Sequence, residues 1–91
     1  MRARSRSDKA LRAAATERPA DMQAQYDFAQ AAFAAGERDE AADTLLSMTE
    51  KEPDWNEGAA KAKLLQIFEA VGMEDPWVAA QRRRLSLLLF G

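Results

Sequence analysis

A chain of 91 residues is one small domain or a fragment of a longer protein, and at that size folding buries only roughly 60–65% of the unfolded surface. Alanine-rich composition with 4 glycines and 3 prolines, and no alternating run of β-branched and aromatic residues, excludes a sheet and reads all-helical. The absence of cysteine and histidine removes disulfide and thiol chemistry and the usual neutral-pH proton carrier, and the net charge of −2 is unevenly spread.

Five helices are expected in chain order. The first runs over about Asp8–Arg18, capped by Ser7 and ended by Pro19, whose ring cannot continue a helix. The second, about Met22–Ala35, has Asp21 as its cap and Gly36 as its stop. The third, about Asp39–Lys51, ends ahead of Pro53. The fourth, about Asn56–Val71, places Ala60, Leu64, Ile67, Phe68 and Val71 on one face, and Gly72 stops it. The fifth has Asp75 as cap and Pro76 at its first helical position, and continues to about Leu89.

Within this order a period is visible. Pro19 and Pro53 stand 34 residues apart, each leading into a new helix, and Leu11 matches Leu45 at the same offset. The match is partial, since Glu17 falls opposite Lys51 and Ala20 opposite Asp54. Thirty-four residues is the period of the tetratricopeptide repeat, a helix–turn–helix unit that buries its apolar face by stacking on its neighbours. With Pro53 as the closing proline, the pattern positions of the repeat fall on Phe28, Ala29, Ala41, Leu45 and Pro53, with Gly36 in the turn. Small residues at Ala29 and Ala41 let two antiparallel helices approach closely, and Phe28 and Leu45 fill the space around them. Gln25, Ala32 and Met48 depart from the pattern.

The expected fold is therefore all-α: tetratricopeptide-like antiparallel helical hairpins, about five helices, part of a right-handed α-solenoid. Residues 1–91 are read as a single helical domain. Residues 7–19 form the second half of a preceding repeat, 20–54 one full repeat and 55–91 a last helical hairpin. An unpartnered first helix suggests that earlier repeats precede this segment, because a solenoid needs about three repeats to stand alone.

Charge and hydropathy narrow the partner classes. Arg2, Arg4 and Arg6 give +3 and Arg82, Arg83 and Arg84 another +3, whereas Ser7–Gln81 holds the other 7 basic residues and all 15 acidic ones, a sum of −8. An acidic body with two basic ends lacks the contiguous basic surface that nucleic acid requires. The arginine run reads first as a solvated helix face. The longest purely apolar runs, Ala31–Ala35 and Leu87–Phe90, fall far short of the ~20 residues that span a bilayer, and no apolar segment follows the arginine-rich start as in a secretory signal.

The last hairpin resembles a known family. Leu64-Leu65, Phe68-Glu69-Ala70 and Gly72, then Glu74-Asp75-Pro76, Val78-Ala79-Ala80, Arg82-Arg83-Arg84-Leu85 and Leu88-Leu89-Phe90 carry the likeness, which covers about residues 20–91. The family is the bacterial chaperedoxins, the CnoX/YbbN group. The resemblance implies a thioredoxin-fold domain followed by tetratricopeptide-like helices, in a cytoplasmic protein that holds unfolding clients during oxidative stress and passes them to the chaperonin. It also implies that the last helix docks on the chaperonin. The redox half has no counterpart here, because these residues include no thioredoxin domain and no Cys-x-x-Cys motif.

That last helix has a surplus of apolar residues. With Val78 at 0°, Leu85 falls at about 340°, Leu89 at about 20°, Leu88 at about 280° and Trp77 at about 260°, a face fit to join a core. Leu87 at about 180° and Phe90 at about 120° lie on the other side, with Arg83 at about 140° between them. Either the final turn frays or missing repeats cover these residues, or Arg83, Leu87 and Phe90 form a partner-facing patch.

Other candidates are weaker. The acidic pairs Asp39/Glu40 and Glu74/Asp75 stand at helix starts, where capping and the helix dipole account for them without catalysis. Trp55 and Trp77 also stand at helix starts, as staples of the turns. A peptide groove lined by Gln25, Asp27, Gln30 and Lys63 would be acidic and alanine-rich, unlike grooves that clamp peptide carboxylates with lysines and asparagines. The expectation is a non-catalytic protein-interaction module with no metal and no cofactor, whose partners are unfolded clients and the chaperonin. A stand-alone adaptor that self-associates as a homodimer through the apolar last helix is the alternative.

Overall fold

Proline, glycine and short-chain caps divide the chain where helix chemistry requires. A computed structural model describes residues 2–91, with side chains from residue 9 onward. It contains α1 (Arg2–Glu17), α2 (Met22–Ala34), α3 (Arg38–Lys51), α4 (Ala59–Val71) and α5 (Pro76–Phe90), with a short 3-10 turn at Trp55–Glu57. Helix makes up 81% of it, and there is no strand among the described residues. The all-α, tetratricopeptide-like expectation is met. No helix among the described residues is long and apolar enough to cross a membrane.

The first boundary differs from expectation. Helix α1 begins at Arg2, so Ser7 is an interior position rather than a cap, and its side chain lies outside the described residues. A serine between arginines does not stop a helix, because its propensity is only a few tenths of a kcal/mol worse than theirs.

Two compact units, residues 1–44 and 45–91, divide the chain within α3. In residues 1–44, α1 packs on α2. The buried apolar residues there are Ala15, Met22, Ala24, Ala29, Ala32, Ala41 and Ala42, alanine in all but one case. Asp21 caps α2 as expected, its Oδ1 accepting the Ala24 N–H at 3.1 Å. Helix α2 ends in a Schellman motif: the Glu37 N–H donates to the Ala32 carbonyl at 2.8 Å and the Gly36 N–H to the Phe33 carbonyl at 3.0 Å, with Gly36 at φ +87°. Gln25, which stands where the repeat pattern has a large aromatic, is polar for a local reason. Its Nε2 donates to the carbonyls of Ala15 at 2.8 Å and Arg18 at 3.1 Å, satisfying groups that the end of α1 leaves open.

Residues 45–91 bury larger side chains: Leu45, Leu46, Met48, Leu64, Ile67, Phe68, Val78 and Leu85, together with Ala60. The expected stripe of the fourth helix is thus buried at Ala60, Leu64, Ile67 and Phe68 and half-buried at Val71. Thr49 is buried without cost to the core, since its Oγ1 donates to the Leu45 carbonyl at 2.8 Å.

Helix α4 starts at Ala59 and not at Asn56. Asn56 (φ +48°), Glu57 (φ +59°) and Gly58 (φ +80°) are three consecutive left-handed residues, which no right-handed helix accommodates. Asparagine and glycine tolerate that region, whereas glutamate is held there against its preference. At the other end Gly72 has φ +121° and ψ 127°, and the connection to α5 is short enough to join antiparallel neighbours.

Candidate functional site

Helix α5 is positioned by its own first turn. The Asp75 Oδ1 accepts the Trp77 N–H at 2.8 Å, and Pro76 occupies the first helical position, where no N–H is needed. Both caps read from the sequence, Asp21 and Asp75, are therefore in place. Trp55 and Trp77 are half-buried at their turns.

The buried residues of α5 are Val78, Gln81 and Leu85, with Leu88 half-buried. Their spacing of three, four and three is that of a helix seam laid against a partner. The expected core face included Leu89, which is instead 37% exposed. The 3-4-3 seam runs through Gln81 and Leu88, and Leu89 is rotated about 100° past Leu88, at the seam's edge. Gln81 takes the position that apolar counting could not assign to it. Buried, it accepts a hydrogen bond at its Oε1 from Arg84 Nη1 at 2.9 Å.

Arg83, Leu87 and Phe90 lie on the opposite side of α5, at positions i, i+4 and i+7. Leu87 is 64% exposed and Phe90 84%, and Arg83 is exposed beside them. Leu65 (46%) and Met73 (48%) add exposed apolar surface elsewhere in residues 45–91. Neither was separated from the core by sequence reasoning, and Leu65 shows why. It follows buried Leu64, and only the helical phase distinguishes the two.

In residues 1–44 the strongest polar feature is a clasp that joins α1 to α3. Arg12 donates from Nη1 to Glu40 Oε2 at 2.8 Å and from Nη2 to Glu40 Oε1 at 2.7 Å, a bidentate pair, and stands 3.9 Å from Glu37 Oε1. The same guanidinium lies over the Phe28 ring, 5.0 Å from its centroid. Hydrogen bonds from Arg12, and then from Glu37, push the Glu40 carboxyl down to about 2, and Arg12 is raised in return. Glu40 was read from the sequence as a helix-start charge, and its partner 28 residues away was not foreseen.

Two shallow clefts, of about 330 and 380 Å³, lie on either side of the Arg12–Phe28 pair. Their walls are mostly alanine methyls, Phe28 and exposed charged groups that the clasp already uses. Of the groove candidates, Gln25 is committed to α1, Asp27 Oδ1 accepts from Gln23 Nε2 at 2.9 Å, Gln30 is exposed and Lys63 is half-buried.

A family model described as tetratricopeptide repeat matches residues 1–90. No curated protein and no solved structure matches the chain. Tetratricopeptide repeats mediate protein–protein contact and are typically non-catalytic.

Proposed function

We propose that this chain, which belongs to the tetratricopeptide repeat family, is the interaction module of a thioredoxin-fused holdase co-chaperone, with α5 as the element that docks on the chaperonin. The observation that carries the reading is the pair Leu87 and Phe90, 64% and 84% exposed on a fully formed helix with Arg83 between them in angle. An apolar pair held out by a folded helix is the usual anchor of an interface, the arginine adding direction. Non-covalent holding of clients by helical surfaces, in the cytoplasm, completes the reading, with the redox chemistry assigned to a thioredoxin domain outside these residues.

Replacing Leu87 and Phe90 with aspartate tests it. The expected result is loss of chaperonin capture in a pull-down, with far-ultraviolet circular dichroism unchanged because neither side chain is buried. Undiminished capture would overturn the docking assignment. The self-associating adaptor predicts instead a dimer by light scattering at micromolar concentration with no chaperonin present.

A further inference from the structure

Helix α5 carries two seams. The inner one, Val78, Gln81, Leu85 and Leu88, is buried or half-buried. About 180° around the helix a second series repeats with the spacing four, three, four, three: Pro76, Ala80, Arg83, Leu87 and Phe90, every one of them exposed. The outer seam is narrow at its start, where Pro76 and Ala80 allow close approach, and broad at its end, where Leu87 and Phe90 project. A 3-4 repeat on a regular helix is the pattern that a second helix reads.

Charge selects the occupant. Helix α5 contains three arginines and no acidic residue. Among the described residues Arg82 and Arg83 make no ion pair, and Arg83 is the middle position of the outer seam. A second copy laid antiparallel across this seam would set Arg83 against its own symmetry mate, and a parallel copy would align all three arginines with their equivalents. Like charges facing one another in this way disfavour pairing.

We infer that the outer seam of α5 binds an amphipathic helix of another protein, one with leucine-like residues at 3-4 spacing and a carboxylate at the position facing Arg83. Leu87 and Phe90 supply the contact area, and Arg83 fixes register and rejects helices with a cation there. This rests on the interaction reading of α5 but not on the identity of the chaperonin as partner.

The test uses the full chain and two labelled synthetic helical peptides of about 18 residues, long enough to hold helix. They carry the same leucine stripe and differ at one seam position, glutamate in one and lysine in the other. Fluorescence anisotropy at low salt is expected to show the glutamate peptide binding about fivefold more tightly, the size of an exposed charge pair exchanged for a repulsion. Arg83→Glu should invert the preference, and Leu87→Ser with Phe90→Ser should remove binding of both peptides while circular dichroism stays unchanged. Equal binding of the two peptides, binding that survives the double serine variant, or no binding below about millimolar concentration would each overturn the inference. So would a parent chain that sediments as a dimer lost on Leu87→Ser, since a second copy would then hold the seam. A chain that discriminates the peptides yet captures no chaperonin refutes the co-chaperone reading and leaves the seam standing.

Discussion

Gly72 offers a clean measurement of what the turn into α5 costs. Its φ of +121° and ψ of 127° lie outside the left-handed helical basin as well as the right-handed one, so no L-residue is comfortable there. A Cβ built on it meets no heavy atom within 4 Å, so Gly72→Ala introduces no clash with a neighbour and its whole effect is on the backbone. Holding alanine in such a region costs about 1–3 kcal/mol, and the loss of chain freedom in the unfolded state returns about 0.4–1 kcal/mol. The net loss is about 1–2 kcal/mol, which for a chain of this size lowers the melting temperature by roughly 5–10 °C. Urea unfolding followed by far-ultraviolet circular dichroism reads it as a lower midpoint with an unchanged slope. Gly58→Ala, in the same unit, is the control. Its φ of +80° and ψ of 27° fall in the ordinary left-handed basin, and the new methyl makes only an ordinary 3.9 Å contact with the Pro53 carbonyl, so its cost should be smaller. A Gly72→Ala variant as stable as the parent, or less affected than Gly58→Ala, would refute this account of the turn.

Three further perturbations test other parts of the chain. Glu57→Gly should raise stability by about 0.5–1 kcal/mol in the same urea assay, because the exposed glutamate is held at φ +59° and loses no buried contact on removal; a lowered midpoint would count against the left-handed turn. Gln25→Leu keeps the bulk but removes both bonds to the α1 carbonyls, and should cost about 1–2 kcal/mol with faster amide exchange in the last turn of α1; unchanged exchange there would show that the bonds do not hold the helix end. Glu40 titrates at about 2 in the folded chain against an ordinary 4.5, so folding favours its charged form. Its contribution is complete above pH 4.5 and disappears as the pH falls toward 2; the parent should lose more stability across that window than Glu40→Gln, and parallel acid limbs would dissolve the clasp.

Local chemistry was the legible part of this fold. Asp21, Gly36, Asp75 and Pro76 act within a turn of their own position, so their effects can be read from neighbours in sequence. The stripe of α4 was legible for a similar reason, since periodicity alone places Leu64, Ile67 and Phe68 on one face. Where the sequence misled, a distant contact or a backbone state decided. Asn56 and Glu57 look like the start of a helix, and only their left-handed torsions exclude them from α4. Gln81 outranks Leu89 for a place in the core because helical phase decides there and polarity does not, with Arg84 supplying the missing hydrogen bond. Arg12 and Glu40 are two ordinary surface charges until α1 and α3 bring them together. Of the candidate surface, the exposure of Leu87 and Phe90 followed from counting faces on one helix. The second complete seam through Pro76 and Ala80 stayed hidden, because neither residue is conspicuous alone.

The alanine-lined contact in residues 1–44 has a thermal consequence. Alanine has no side-chain torsion to freeze, so closing that contact costs little beyond backbone order. It also hides little hydrocarbon from water, and opening it changes the heat capacity correspondingly little. Residues 45–91, with Phe68, Leu45, Met48 and Leu64 fully enclosed, expose far more hydrocarbon on opening. Their stability is therefore the more sharply curved function of temperature and the one that chilling weakens more, whereas the alanine contact behaves nearly alike in the cold and in the warm.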